Sequence, residues 1–99
     1  MSLDILEAKV SQWGFHKGIL PNPDPKAQYS KTREEVIELL DAIEEDDMYE
    51  VKDAIGDIVV TLIMQTHAWD TNLEECLQQA YDTISKRTGK MVDGVFVKD

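Results

Sequence analysis

A chain of 99 residues, 42% hydrophobic and 30% charged with five Gly and three Pro, has the make-up of one globular domain with a modest core. Twenty acidic residues against ten basic ones, a net charge of −10, argue against a general nucleic-acid binder, because neutralising phosphates needs clustered Lys and Arg. The single cysteine excludes an intrachain disulfide, and polar groups through residues 1–15 with no long apolar run argue against a signal peptide or membrane span, so a cytoplasmic location is the default expectation.

Four helices and no strand-rich region are expected. Ser2 is a candidate N-cap for a first helix over residues 3–15, with Leu3, Leu6, Val10 and Trp13 on one face. A loop from His16 to Tyr29 follows, broken by Pro21, Pro23 and Pro25; at that length it is either functional or a plain crossover. The second helix is expected to begin after Ser30, or at a Thr32/Glu35 capping box, and to run to about Glu45. Val36, Leu39, Leu40 and Ile43 form its apolar arc. Glu35 and Glu38 lie on the edge of that arc, whereas Glu34, Asp41 and Glu45 point outward.

A short acidic turn leads to a third helix, about residues 49–69, apolar nearly all round beyond Ala54 as befits the centre of a bundle. Its most polar stripe carries Glu50, Asp53, Asp57, Thr61 and Ala68. Short connections make antiparallel neighbours, so that stripe is free to face the Glu35/Glu38 edge. The fourth helix, about residues 72–88, opens on a Thr71/Glu74 capping box and is closed by Gly89. Its apolar face is Leu73, Cys76, Leu77, Ala80, Tyr81 and Ile84, which predicts a core role for Cys76. Asp93-Gly94, set between short apolar pairs, predicts a small hairpin in the tail. The expected fold is therefore all-α: a four-helix bundle-like domain over residues 1–99 with antiparallel helices and a C-terminal hairpin or extended tail.

The chemistry lies in two acidic clusters on neighbouring helices, Glu34-Glu35-x-x-Glu38 and Asp53-x-x-x-Asp57. Glutamates at i and i+3 reach one point from one helix, and aspartates at i and i+4 do the same from the facing helix. Such carboxylates repel unless one protonates or a cation joins them. Taken alone, Glu34, Glu35 and Glu38 read as a solvated face. Asp57 changes the weighting, because an acid between Gly56 and Ile58-Val59-Val60 is expensive to bury without a positive partner. A hard divalent cation such as Mg2+ is the favoured partner, and Lys31 is the competing one. Lys86, Arg87 and Lys90 suit either the end of the fourth helix or outer phosphates. Trp13 and His16 offer flat surfaces for a base, although Trp13 also fits core packing. His67 and Trp69 read as structural residues.

The strings Lys31-Thr-Arg-Glu34-Glu35-Val-Ile-Glu38-Leu and Asp53-Ala-Ile-Gly56-Asp57-Ile-Val-Val resemble the all-α MazG-like nucleotide pyrophosphohydrolases. So do the ending from Ile84 to Val97 and the opening Trp13-x-x-x-Lys17-Gly18-Ile19-Leu20 with Gln28 ahead of the acidic helix. The resemblance implies Mg2+-dependent cleavage of an NTP or dNTP between the α and β phosphates, with Mn2+ a possible substitute. It implies metal ligands at Glu35, Glu38 and Asp57, a water-positioning acid at Glu34, and phosphate contacts at Lys31, Lys86 and Arg87. Trp13 and Gln28 are the further substrate-binding candidates, and a homodimer or homotetramer with no nucleic-acid or membrane partner is implied. The chain departs from the family at Ala54, where a glutamate ligand is expected; Asp53, or Glu50 one turn before Ala54, is the available replacement. A non-catalytic acidic helical oligomer acting as an interaction module is the rival reading, motivated by that departure and by the charge.

Overall fold

The computed structural model describes all residues, Met1 to Asp99. Helix α1 spans Leu3–His16, α2 Pro25–Glu44, α3 Met48–His67 and α4 Leu73–Ile84, followed by strands β1 (Gly89–Val92) and β2 (Val95–Lys98). This is the expected all-α bundle with a C-terminal hairpin. Asp93 and Gly94, at φ 49° and 85°, form its turn, as an Asp-Gly pair does where both central residues need positive φ. The antiparallel register sets Met91 opposite Phe96 and Val92 opposite Val95.

Helix α2 begins well before the expected start at Ser30. Asp24 is its N-cap, accepting hydrogen bonds from the backbone of Lys26 (2.9 Å) and Ala27 (3.1 Å). Pro25 takes the first helical position, where its missing N–H and fixed φ are advantages. The structured loop is therefore residues 17–24, and Gln28 lies on a helix. Helix α3 is capped by Asp47, whose Oδ1 accepts from Glu50 N at 3.1 Å. The three-residue link from α2 makes the two helices antiparallel neighbours, and they form the most extensive packing in the chain.

Helix α3 is the centre: α1, α2 and α4 all pack on it. The core is small, built on Leu20, Ile63 and Met64, with Val10, Ile19, Val59 and Leu73 around them. Gly14, the one buried residue of α1, lets that helix sit directly against Met64. A Cβ there would lie 2.7 Å from the Met64 sulfur and 3.2 Å from Leu20 Cδ1. Ser11 Oγ and His67 Nε2, 2.9 Å apart, tie α1 to the end of α3, and Phe15 meets the His67 ring edge-on. His67 is thus structural, as expected. Trp69 is exposed, its Nε1 donating to Gln65 Oε1 at 3.1 Å.

Helix α4 and its surroundings correct four expectations. It stops at Ile84 rather than near residue 88, and its cap is Asn72, accepting from Glu75 N at 2.9 Å. Thr71 instead donates to Glu75 Oε2 at 2.7 Å. Gly89 is no helix cap: it pairs with Lys98 in the hairpin, where any side chain would collide with the Val97 carbonyl. No residue of α4 is buried, and Cys76 is exposed rather than in a core. The face bearing Leu77, Tyr81 and Ile84 is amphipathic as expected but open in one chain.

Candidate metal centre

The α2–α3 pair places Glu35 and Glu38 opposite Asp57. One carboxylate oxygen from each lies within 4.8 Å of the others, a grouping able to surround one cation. The spacing explains it: Glu35 and Glu38 are one turn apart on α2, and the antiparallel α3 brings Asp57 to the same level. Glu35 is only 7% exposed, Asp57 is half-buried and Glu38 is exposed. Burial raises the Glu35 pKa above its ordinary value, and its close contact with Glu38 and the charge of Asp57 push it the same way. Burial likewise raises Asp57, reinforced by Asp53 and Glu38.

Protein cations do little to relieve this crowding. Lys31 Nζ donates to Glu34 Oε2 at 3.1 Å and approaches Glu35 Oε1 at 3.6 Å, from an exposed position. Asp57 has no ion pair with it. Glu35 Oε2 is buried with no hydrogen-bond partner at all. A buried carboxylate oxygen without a donor costs several kcal/mol in principle unless it protonates or meets a cation (roughly 1–3 for a neutral group, more for a charged one). Three converging hard oxygen donors, one of them from the residue that carries the orphaned atom, fit a Mg2+-type ion, which prefers such ligands and keeps positions for water and phosphate.

Beside the cluster is a cavity of about 450 Å3 whose lining includes Trp13, Gln28, Lys31, Glu35, Asp57 and Thr61. A second cavity of about 300 Å3, on the α1 side, shares Trp13, Asp57 and Val60 with it. Trp13, 44% exposed, therefore presents its ring to the cavity instead of being consumed by the core. Ile19 also lines the cavity, as does Ala27, which the sequence pattern left inside a loop. The Asp24-Pro25 helix start was the signal, since it puts Ala27, Gln28, Lys31 and Glu35 on one face of α2.

The other site candidates are placed differently. Asp53 is outside the three-carboxylate group, but its charge reinforces the effect of burial in raising the Asp57 pKa. Ala54, one residue on, is buried at 4% exposure and offers no ligating side chain. Glu34 points outward in its pair with Lys31. Lys86 and Arg87 occupy the turn after α4 and line neither cavity, and His16 lines neither as well.

Residues 24–92 match the MazG nucleotide pyrophosphohydrolase domain, and the chain belongs to that family. The match takes in α2, α3, α4 and β1, hence every residue of the carboxylate cluster. Membership makes the protein a nucleotide pyrophosphohydrolase in general type. No individual curated protein and no solved structure matches the chain. No helix is long and apolar enough to cross a membrane.

Proposed function

We propose that this one-domain protein is a Mg2+-dependent nucleoside triphosphate pyrophosphohydrolase, with Mn2+ able to substitute. It cleaves an NTP or dNTP between the α and β phosphates, giving the monophosphate and pyrophosphate. The observation that carries the reading is that Glu35, whose Oε2 is buried without a partner, brings a carboxylate oxygen within 4.8 Å of those of Glu38 and Asp57. Glu35, Glu38 and Asp57 hold the cation. Asp53, rather than Glu50, supplies the acid that Ala54 lacks, because Asp53 is the one felt by Asp57. When bound, the cation neutralises phosphate oxygens and acidifies water at the site.

The chain's own groups do the rest. Glu34 is the acid that the family resemblance assigns to the water: turned from its outward pair with Lys31 toward the cluster, it would orient a water toward the α-phosphorus and take its proton as the new P–O bond forms and the bond to the bridging oxygen breaks. Lys31, lining the cavity, meets the phosphates, while Trp13 offers its ring face to the base and Gln28 its free amide. A homo-oligomer, dimer or tetramer, covers the open apolar faces and lets Lys86 and Arg87 reach a neighbouring subunit's phosphates. The activity is assigned to the cytoplasm, on nucleotides that need removal from the pool.

The test is pyrophosphate release by pure protein from a panel of NTPs and dNTPs with Mg2+. Release that disappears on chelation and falls at least about 100-fold in Glu38→Gln and Asp57→Asn supports the reading, since transition-state charge stabilisation is commonly worth that much. No release from any nucleotide, or release indifferent to both substitutions, sinks it.

A further inference from the structure

One side-chain contact joins α2 to α3 beside the cluster and is used by nothing above. Thr32 Oγ1 and Thr61 Oγ1 are 2.7 Å apart, with Thr61 only 5% exposed. Thr32 Oγ1 is also 3.0 Å from the Gln28 carbonyl, and Thr61 Oγ1 2.7 Å from the Ile58 carbonyl. Two hydroxyl protons cannot serve three contacts. The shorter carbonyl contact takes the Thr61 proton, which leaves Thr32 to donate across the interface. The resulting chain runs from Thr32 to Thr61 to the Ile58 carbonyl.

The position of this clasp matters more than its strength. Thr32 stands three residues before Glu35 and Thr61 four after Asp57, so the hydroxyl pair is one helical turn from the carboxylate pair on both helices. At the carboxylate level α2 and α3 repel each other. At the threonine level they are drawn together at an oxygen–oxygen separation that no carbon pair tolerates, since carbons settle at about 3.5–4.0 Å. Thr61 also lines the same cavity as Glu35 and Asp57.

We propose that Thr32 and Thr61 are positioning residues: their shared hydroxyl contact sets the α2–α3 separation at which Glu35, Glu38 and Asp57 can hold one cation. The inference rests on the metal reading of that cluster. Replacing both hydroxyls by methyls forces the helices apart by roughly 1 Å at this layer, while leaving no polar group stranded, so the apo fold is retained.

The experiment titrates Mn2+ into the full-length protein and reads free Mn2+ by electron paramagnetic resonance, with apo melting temperatures alongside. Thr32→Val/Thr61→Val should weaken Mn2+ binding at least about tenfold, the range of second-layer effects on metal affinity, with the apo melting temperature nearly unchanged. Thr32→Ser/Thr61→Ser should restore wild-type binding, and Thr32→Val alone should fall between. That single variant carries the test if the double valine chain fails to fold. Wild-type affinity in the valine variants overturns the clasp while leaving the enzyme reading intact. Absence of Mn2+ and Mg2+ binding by the wild type overturns both.

Discussion

Glu35 is the residue on which the stability of the metal-free fold and the proposed cation binding pull in opposite directions. Its carboxylate and that of Asp57 have folded-state pKa values above their ordinary ones, chiefly through burial. Below about pH 4, near the reference carboxylate values, both folded and unfolded chains are protonated and the sites cost nothing. As pH rises through the raised values the unfolded chain has already released its protons, so the metal-free fold loses stability across that window. Metal and protons compete for the same oxygens, so Mg2+ should restore more stability the higher the pH. In EDTA, Glu35→Gln should flatten this decline and be about 1 kcal/mol more stable than wild type at pH 7, a rise in Tm of about 4–8 °C. The same variant should lose its response to Mg2+. Calorimetry at several pH values, with and without the ion, decides it; a wild-type slope in Glu35→Gln would contradict the account.

At this scale much was readable from the residues. Asp57, an acid set in an apolar run, marks the carboxylate cluster in the sequence, and its helical phase does bring it to Glu35 and Glu38. The unbonded Glu35 oxygen was not readable, because it depends on Lys31 turning toward Glu34, which is a matter of side-chain geometry.

Helix boundaries show what pattern reading misses. Three prolines within five residues look like a breaker, yet Pro25 directly after Asp24 is a helix start. Asp24→Ala should cost about 1 kcal/mol by freeing the amides of Lys26 and Ala27. Because this first turn also carries Ala27 and Gln28, the variant should bind nucleotide more weakly while keeping its metal affinity. Isothermal titration of each ligand separates the two; equal losses of both would show that the cap supports the whole helix pair. The end of α4 failed for a related reason. Residues 85–88 are polar and helix-compatible, but Lys86 and Arg87 donate back only three residues, to Thr83 and Ile84, as the chain turns into the hairpin.

The molecule as a whole is open and extended as a single chain. Its radius of gyration is 15.6 Å, against about 13 Å for a compact domain of this length. Both hairpin strands are exposed throughout, and isolated two-stranded hairpins are marginal in water. An apolar groove of about 690 Å3 between α1 and α4, lined by Leu3, Leu73, Leu77, Tyr81 and Ile84, lies far from the chemistry and is rimmed by Asp4, Glu7 and Glu74. The apolar arc of α2 (Val36, Leu40, Ile43) is open too. Such surface is more than a monomer usually leaves to water. Light scattering should therefore find at least two chains per particle and a Tm that rises with protein concentration. Leu77→Glu with Tyr81→Glu should yield single chains of lower Tm; a wild type that is monomeric at every concentration would refute the expectation. Here composition was a fair guide, since a thin core in 99 residues was expected, but which faces stay open required the packing of α4.

Gly14 ties these levels together. Helix α1 rests on α3 at a spot with no room for one extra carbon, one residue along from Trp13, which lines the cavity beside the carboxylates. Gly14→Ala would act as a wedge: the Met64 thioether can swing aside, but Leu20 and the backbone behind it tilt α1 outward and carry the indole away from Asp57. A methyl group that touches neither cation nor phosphate would then register as a raised KM with kcat little altered, the signature of lost grip on the base.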